Sequence, residues 1–392
     1  MTIISADNTY NIYDSTVRTY DRLPARPFVV RFDIRKGYYL ELYGEIEVKE
    51  QKVYGCHQEK IRKVLNTFDK FDRNLGVLLS GAKGIGKTLF VRMLAAEAMK
   101  RGLPVIVVNR YFDGIDTFVE RIQQEVVVLF DEFEKHFGEE HRPHSMNGFG
   151  NGFGNGGLGF SVFDADMNLS HQKELLELFD GISRSKKLFV LTCNDVYHIS
   201  SFLIDRPGRI HYHFRFSYPS PREIKDYLVD NLKPEYRSEL RTIINYSFIT
   251  RMSYDALRAL TFELNQGLTT EEAVKDLNIS KDSNASPVFD VYMHFSKYVS
   301  KPQKNSLYFF DEDVATVTLN YRKRGSRQRK LELQFSLNDL EFDENRECFV
   351  LPFDKILDVT CENDQPCGMP EDFMEILEKD GLEYLMLKKC YQ

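Results

Sequence analysis

Residues 76–92 read GVLLSGAKGIGKTLFVR, and this stretch decides the fold. An apolar run ends at Ser80, a glycine-rich turn occupies 81–86, and a run of good helix formers begins at Lys87. The spacing of the glycines with Lys87 and Thr88 is typical of a loop that binds the phosphates of a nucleoside triphosphate. Glycines let consecutive backbone N–H groups point at a phosphate, and the following helix adds positive charge at its start. The stretch therefore predicts a strand, a phosphate loop and a helix in an α/β domain.

The loop and the first turn of the helix are expected to bind different parts of a magnesium-bound nucleotide. We expect Lys87 to reach the β- and γ-phosphate oxygens, and the Thr88 hydroxyl to bind Mg²⁺. The predicted nucleotide-binding residues in this stretch are Gly81, Lys83, Gly84, Ile85, Gly86, Lys87, Thr88 and Leu89.

Length and composition set outer limits on the kind of protein. A chain of 392 residues predicts two or three domains. Hydrophobic residues make up 42% and charged residues 28%, which is ordinary for soluble globular proteins, and the net charge of −7 gives no global sign of nucleic-acid binding. The six cysteines form no CxxC pair, which favours a reduced chain. Without an apolar run of ~20 residues or a leader-like start, we expect a cytoplasmic protein with no membrane segment, in the host cytoplasm if it is viral.

The sequence pattern changes three times along the chain. Residues 1–50 show strand-like alternation, which predicts a small β-containing N-terminal region. Over 51–217, apolar strands alternate with helical stretches, as in a parallel sheet covered by helices on both faces. Residues 218–280 are predicted to be helical, and 287–392 to form a β-rich C-terminal domain.

A second motif, VVVLFDE, occupies residues 126–132. Its five apolar residues predict a buried strand, whose end delivers two carboxylates next to the phosphate loop. We expect Asp131 to hold the Mg²⁺ shell and Glu132 to polarise the attacking water. The alternative is that Glu132 only caps the strand end.

Two later segments add polar side chains suited to phosphoryl transfer. Asn194 closes the apolar strand 188–192, and its amide can hold the lytic water or sense the γ-phosphate, although asparagine there is also a common turn former. Arg206 and Arg209 flank a Pro-Gly turn. Their planar, permanently charged guanidinium groups suit the charge of the transition state. The alternative is a surface turn with solvated arginines.

Taken in order and spacing, these motifs resemble those of the AAA+ superfamily, and the phrases LFDGI and RPGRI resemble its narrower AAA clade. The resemblance covers residues from about 53 to 280. It implies an α/β fold with a parallel five-stranded sheet, flanking helices and a helical lid over 218–280. It also implies a Mg²⁺-dependent ATPase that forms a homo-oligomeric ring, usually a hexamer. Each ATP would lie between subunits, with Arg206 and Arg209 reaching the neighbour's γ-phosphate.

The resemblance assigns further roles residue by residue. Lys87 and Thr88 correspond to Walker A, Asp131 and Glu132 to Walker B, and Asn194 to sensor 1. Tyr54 and Gly55 correspond to the backbone that borders adenine. The chain departs from the clade at Ala82-Lys83, where two prolines are common. Arg258 is a candidate sensor 2 arginine, although it is offset from the usual pattern and a solvated helix arginine is the alternative.

Two loops would face the central pore of such a ring. Tyr111 and Phe112 are similar to the aromatic loop with which AAA unfoldases grip polypeptide, and packing at the subunit edge is the alternative. The glycine- and phenylalanine-rich insertion at 147–160 would form the second pore loop. There, Phe149 and Phe153 would be apolar contacts for a translocating chain, and a disordered loop without a role is the alternative.

One strongly basic run occurs in the C-terminal domain. Residues Arg322 to Lys330 include six basic residues in nine, at a predicted hairpin tip. They could neutralise nucleic-acid phosphates, or form a solvated tip or a protein-docking surface. The sequence therefore favours a ring ATPase that remodels, unfolds or disassembles a protein target. The alternatives are a nucleic-acid loader or translocase, and a nucleotide-switched scaffold ring.

Overall fold

The computed structural model describes most of the chain, in two compact units. The described residues are 2–6, 9–14, 17–46, 52, 54–55, 57–137, 175–176, 178–180, 185–277, 279, 288–309, 314–322, 328–361 and 372–390. The first unit comprises Met1–Ala82 and Gly86–Phe216, and the second comprises Lys83–Ile85 and Ser217–Gln392. Phe149 and Phe153, predicted as pore-loop residues, lie outside the described residues. In the part of the chain that is described, no helix has the length and apolar character to cross a membrane.

The first unit is built on a mixed α/β sheet. Its strands are β1 Thr2–Ala6, β2 Thr9–Tyr13, β3 Pro27–Asp33, β4 Gly37–Leu42, β5 Leu75–Ser80, β6 Val105–Val108, β7 Val126–Phe130, β8 Lys187–Cys193 and β9 Tyr212–Arg215. Its helices include α1 His57–Lys70, α2 Lys87–Lys100, α3 Ile115–Glu120, α4 Phe133–Phe137 and α5 Ser201–Ile204. The main sheet has the order β4-β3-β6-β7-β8-β5-β9, and β1 pairs only with β2 among the described strands. All neighbours in the main sheet are parallel except β3 and β4.

Helices cover both faces of this sheet, because its central strands are apolar on both sides. Val77 and Leu79 of β5 pack with α1 and α2, whereas Leu78 faces the opposite core, which includes Leu203 of α5. Burying one such side chain stabilises the fold by roughly 1.5–3 kcal/mol. Phe90 of α2 is fully buried and anchors the helix that follows the phosphate loop.

The sheet has seven described strands, so the predicted number of five is wrong. The two additional strands, β3 and β4, come from the segment predicted as a separate N-terminal region. Phe28, Val29 and Val30 are all buried, although they point alternately to opposite faces of β3. A strand buried on both faces needs a neighbour in a larger sheet. Here β3 pairs with β6, in parallel.

The second unit combines a helical region with two antiparallel sheets. Its helices are α6 Pro221–Asn231, α7 Leu240–Ile249, α8 Tyr254–Leu264, α9 Thr270–Asp276 and α10 Phe373–Lys379. Its strands are β10 Val288–Phe295, β11 Gln303–Ser306, β12 Tyr308–Phe309, β13 Val314–Tyr321, β14 Arg329–Ser336, β15 Glu341–Asp343, β16 Cys348–Pro352, β17 Ile356–Cys361 and β18 Leu382–Lys389. The sheet orders are β11-β10-β18-β16-β15 and β12-β13-β14-β17. A capping box at Thr269 and Glu272 starts α9, as the sequence predicts.

Helix α7 packs against the β-rich region, so the two parts of the second unit share a core. Phe248 stacks on Phe289 with ring centroids 4.1 Å apart. The Asn245 side-chain amide donates to the carbonyl oxygens of Leu337 and Leu340, at 3.1 and 3.2 Å. Because these contacts combine apolar burial with satisfied buried polar groups, we expect the helical and β-rich regions to move together.

Lys389 makes the stability of this unit depend on pH. Its Nζ donates to the carbonyl oxygen of Ser247 at 2.9 Å. Burial lowers the pKa of Lys389 to about 8, and the charge of Arg251 acts in the same direction. An unfolded lysine has a pKa of about 10.4, so between these values the unfolded chain binds more protons than the folded chain. The free energy of unfolding should therefore rise, by about 2–3 kcal/mol, as the pH increases from about 8 to 10.

Lys389→Met should abolish this rise, as measured by urea unfolding across that pH range. Lys388→Met, at an exposed neighbouring position, is the matched control and should keep the rise. An equal pH dependence in both variants would contradict the assignment to Lys389.

Candidate nucleotide-binding site

The strand order brings the predicted site residues to one edge of the first unit's sheet. Strand β8 lies between β5, which leads into the phosphate loop, and β7, which leads into the acidic pair. All three strands are parallel, so their carboxyl ends meet at the same edge. Asn194, directly after β8, therefore lies between the phosphate loop and Asp131 with Glu132.

The backbone of the phosphate loop requires its glycines. Gly81, Gly84 and Gly86 have φ angles of 140°, 74° and 98°, where a side chain would be strained. At Gly86 a Cβ atom would also lie 3.1 Å from Nε2 of His57. Lys83–Ile85 of this loop belong to the second unit. There, the carbonyl oxygen of Gly84 accepts a hydrogen bond of 2.9 Å from the backbone N–H of Tyr254. These constraints explain the glycine spacing.

Lys87 is held inside the curve of the loop. Its Nζ donates to the carbonyl oxygens of Gly81 and Ala82, at 2.5 and 2.7 Å, and to Oδ1 of Asn194 at 2.9 Å. Burial lowers the pKa of Lys87, whereas the charges of neighbouring groups, including Glu134, oppose that shift. The ammonium group is thus surrounded by oxygens, the kind of partner that nucleotide phosphates also provide.

Thr192 holds the acidic pair in place. Its hydroxyl donates to Oδ1 of Asp131 at 2.7 Å and accepts from the backbone N–H of Glu132 at 2.9 Å. Thr192 is itself buried in β8. Thr192 was not among the predicted site residues, although a threonine near the end of a mainly apolar strand is a usable signal.

Glu132 has an unusual backbone and a charged partner. Its φ angle of 47° lies in the left-handed region, which is uncommon for residues other than glycine and often marks functional sites. Its carboxylate Oε1 lies 2.5 Å from Nζ of Lys135, and this hydrogen bond raises the pKa of Lys135. Only Oε1 of Glu132 is in this exposed ion pair with Lys135.

Glu134 orients Asn194. The backbone N–H and the side-chain amide of Asn194 both donate to Oε1 of Glu134, at 3.0 and 2.7 Å. The amide oxygen is then left to face Lys87. The second carboxylate oxygen of Glu134 is buried and has no hydrogen-bond partner among the described residues. Glu134 was not among the predicted site residues, because its role depends on the proximity of β7 and β8.

The two predicted arginine fingers differ in their surroundings. Nε of Arg209 donates to Asp180 at 2.8 Å, its second guanidinium nitrogen also contacts that carboxylate, and Nη1 donates to the carbonyl oxygen of Phe202 at 2.7 Å. The hydrogen bond with Arg209 lowers the pKa of Asp180. Arg209 is buried, whereas Arg206 is exposed. These contacts give Arg209 partners within its own chain. That Arg206 and Arg209 reach a neighbour's γ-phosphate stays a prediction.

A glycine in β5 lets the arginine turn approach the sheet. A Cβ atom at Gly76 would lie only 1.9 Å from the carbonyl oxygen of Arg209, and the carbonyl oxygen of Gly76 accepts from the N–H of His211 at 2.8 Å. A larger residue at Gly76 would displace the turn. In the sequence, Gly76 stands out only as part of an apolar strand.

Phe112 packs within the first unit. Its ring centroid lies 5.8 Å from that of Phe32 and 6.4 Å from that of Tyr38. The Tyr38 hydroxyl also donates to the backbone carbonyl of Asp113. Tyr111 is half-buried against the same core. These contacts are the kind that the alternative interpretation, packing at the subunit edge, expects. The role of Tyr111 and Phe112 in gripping a polypeptide stays a prediction.

The remaining predicted site residues lie near the loop or on the second unit. Tyr54 and Gly55 lie three and two positions before the first residue of α1, His57, and Leu89 lies in the first turn of α2. Lys83 is exposed. Arg258 is exposed on α8 and interacts with Tyr227, which agrees with a helix-surface arginine.

The residues present fit a magnesium ion that is held mainly by a nucleotide. Thr88 offers a hydroxyl oxygen and Asp131 a carboxylate oxygen, both hard ligands that Mg²⁺ prefers. Among the described residues, no group of three or more His, Cys, Asp or Glu is placed to hold a metal. Nucleotide-bound Mg²⁺ usually takes one or two protein ligands and completes its shell with phosphate and water.

The parallel sheet, the glycine-rich loop and the acidic pair together are the arrangement expected of a P-loop nucleoside triphosphatase. Residues 60–148 match the family described as novel STAND NTPase 3, and the matched stretch contains both the phosphate loop and the acidic pair. No curated protein matches the chain. The family match indicates a P-loop NTPase of the STAND type and supports nucleotide hydrolysis in general.

Proposed function

We propose that this protein is a Mg²⁺-dependent ATPase of the AAA clade that forms a homo-oligomeric ring, a hexamer as is usual in that clade. We further propose that it remodels, unfolds or disassembles a protein target. The observation behind this proposal is the position of Asn194, which contacts Lys87 on one side and Glu134 on the other. A polar side chain at the end of the strand between the phosphate loop and the acidic pair can report the state of the γ-phosphate to both.

Each site residue has its own role in the proposed hydrolysis. Lys87 and the loop N–H groups bind the phosphates, and Thr88 with Asp131 would hold Mg²⁺. When bound, Mg²⁺ neutralises charge that develops on the phosphate oxygens. Glu132 orients the attacking water. Arg206 of the next subunit supplies positive charge to the transition state.

Thr192→Val should raise the Mg²⁺ concentration that hydrolysis requires. The substitution keeps the side-chain shape but removes the hydroxyl that positions Asp131 and Glu132. Loss of such an outer partner typically costs about 10–100-fold in metal affinity or activity. We expect an increase of this size in the Mg²⁺ concentration that gives half-maximal turnover. Thr192→Ser retains the hydroxyl and should behave like the wild type, and a normal Mg²⁺ response in Thr192→Val would contradict the role.

The basic run in the second unit is the sequence feature that favours a nucleic-acid target. Strands β13 and β14 form the predicted hairpin, with Tyr321 opposite Arg329. The central residues of the run, 323–327, lie outside the described residues. The overall charge of −7 argues against a broad nucleic-acid surface.

Turnover measured with different polymers tests the choice of target. The assay compares ATP hydrolysis alone, with chemically unfolded carboxymethylated lactalbumin, with single-stranded DNA and with duplex DNA. We expect stimulation by the unfolded protein. Stimulation by DNA alone, lost when the basic residues from Arg322 to Lys330 are neutralised, would instead favour a loader or translocase. Normal function in cells of a variant that cannot hydrolyse ATP would favour a nucleotide-switched scaffold.

A further inference from the structure

The first unit has a second concave surface, which shares no lining residue with the nucleotide-binding site. We call it the edge groove. It has a cavity volume of about 1060 Å³ and is lined by residues 20–23, 36–40, 114, 117–118 and 121–124. Strand β4 forms one wall, and residues of and after α3 form another.

One wall of the edge groove is an open strand edge. Among the described strands, β4 pairs only with β3. The N–H of Tyr43 donates to the carbonyl oxygen of the opposite residue, Pro27, at 2.9 Å, which sets the phase of the ladder. In an antiparallel pair, residues whose backbone groups face the partner strand alternate with residues whose backbone groups face away. Because Tyr43 faces β3, Glu41, two residues earlier, faces β3 as well. Leu40 and Leu42 therefore direct theirs to the open edge.

The charged side chains around the edge groove are mainly basic. Its lining contains Arg22, Lys36 and Arg121 against the single acid Asp21, and all four are exposed. This local excess contrasts with the net charge of −7 for the whole chain. Such a surface attracts an acidic partner and repels a basic one.

Apolar surface accompanies the open edge. Leu42 is 58% exposed, although it is adjacent to the buried part of the sheet. Tyr39 is partly exposed, and Nζ of Lys36 lies 6.0 Å from its ring centroid. Exposed apolar side chains beside outward-directed N–H and C=O groups are what a strand-forming peptide requires.

From these observations we propose that the edge groove binds an extended acidic peptide of a partner protein, which adds to the sheet as a strand beside β4. The backbone groups of Leu40 and Leu42 would bond to the peptide main chain. Arg22, Lys36 and Arg121 would select acidic side chains. A peptide suits the surface better than a nucleic-acid strand, because the open edge offers alternating main-chain donors and acceptors, and because Tyr38 and Phe118 already stack on each other at 5.1 Å.

Binding of a model peptide to the full-length protein tests the charge preference. The probe is a fluorescein-labelled decapeptide of alternating Glu and Val, followed by fluorescence anisotropy without nucleotide. We expect saturable binding, and a loss of affinity of about tenfold or more in the double variant Arg22→Glu/Arg121→Glu. Arg62→Glu, an exposed reversal on α1, is the matched control and should bind like the wild type. Circular dichroism checks that each variant is folded.

Two N-methylated versions of the same peptide test strand pairing. Each carries methyl groups on alternate amides, in opposite registers, so only one version blocks the amides that face β4. We expect one version to bind and the other to lose binding. Equal binding of both versions, equal binding of a Lys-Val decapeptide, or no effect of the Arg22/Arg121 reversals would overturn the proposal. Tighter competition by a single-stranded oligonucleotide would also overturn it, in favour of nucleic acid.

Discussion

Glu132→Gln should lower ATP turnover by about 10²- to 10⁴-fold, the range expected for loss of a general base. Glutamine keeps the size of the side chain and can still occupy the left-handed backbone position, but it cannot accept a proton from water. Nucleotide affinity should stay within about threefold of the wild type, because Lys87 and the loop N–H groups are unchanged. Phosphate release and binding of a fluorescent ATP analogue measure the two quantities separately.

Two control variants separate the base from its ion pair. Lys135→Ala removes the partner of Glu132 but keeps the carboxylate, so turnover should be at least that of the wild type. Glu125→Gln changes an exposed carboxylate at the start of the same strand and should have no effect. If Glu132→Gln hydrolyses ATP normally, Glu132 only caps the strand end, which is the alternative that the sequence left open.

The local parts of the site could be predicted because their signals are local. Apolar runs predict β5, β7 and β8, and the glycine spacing predicts a loop whose φ angles the structure places in the left-handed region. Lys87 follows from its distance along the chain to these glycines. Each of these inferences depends on neighbouring residues only.

The features of the site and fold that the sequence did not predict depend on strand order and long-range packing. Thr192 and Glu134 matter because β8 lies between β5 and β7, and no periodicity within a strand reveals its neighbours. The burial of Arg209 depends on Asp180, 29 positions earlier in the chain. For the same reason, the addition of β3 to the sheet could not be read from its own alternation.

Arg206→Ala should reduce ATP turnover by about 10³- to 10⁵-fold, with little change in thermal stability, because an arginine finger acts on the transition state. Arg206 is exposed, so its removal should leave the fold of its own subunit intact. Arg209→Ala should instead lower the free energy of unfolding by about 1–3 kcal/mol, since it removes a buried partner of the half-exposed Asp180. Turnover and urea unfolding of both variants distinguish a finger from an internal support.

A mixing experiment tests whether Arg206 acts on the neighbouring subunit. Neither Glu132→Gln nor Arg206→Ala should hydrolyse ATP alone. In a mixed ring, a site that takes Glu132 from the Arg206→Ala subunit and Arg206 from the Glu132→Gln subunit has both groups, so an equal mixture should regain about one quarter of wild-type activity. Without such recovery in rings shown by mass measurement to contain both variants, Arg206 would serve its own site or none. Recovery would make nucleotide hydrolysis a property of the assembly, because one chain supplies the phosphate loop and the next supplies the charge.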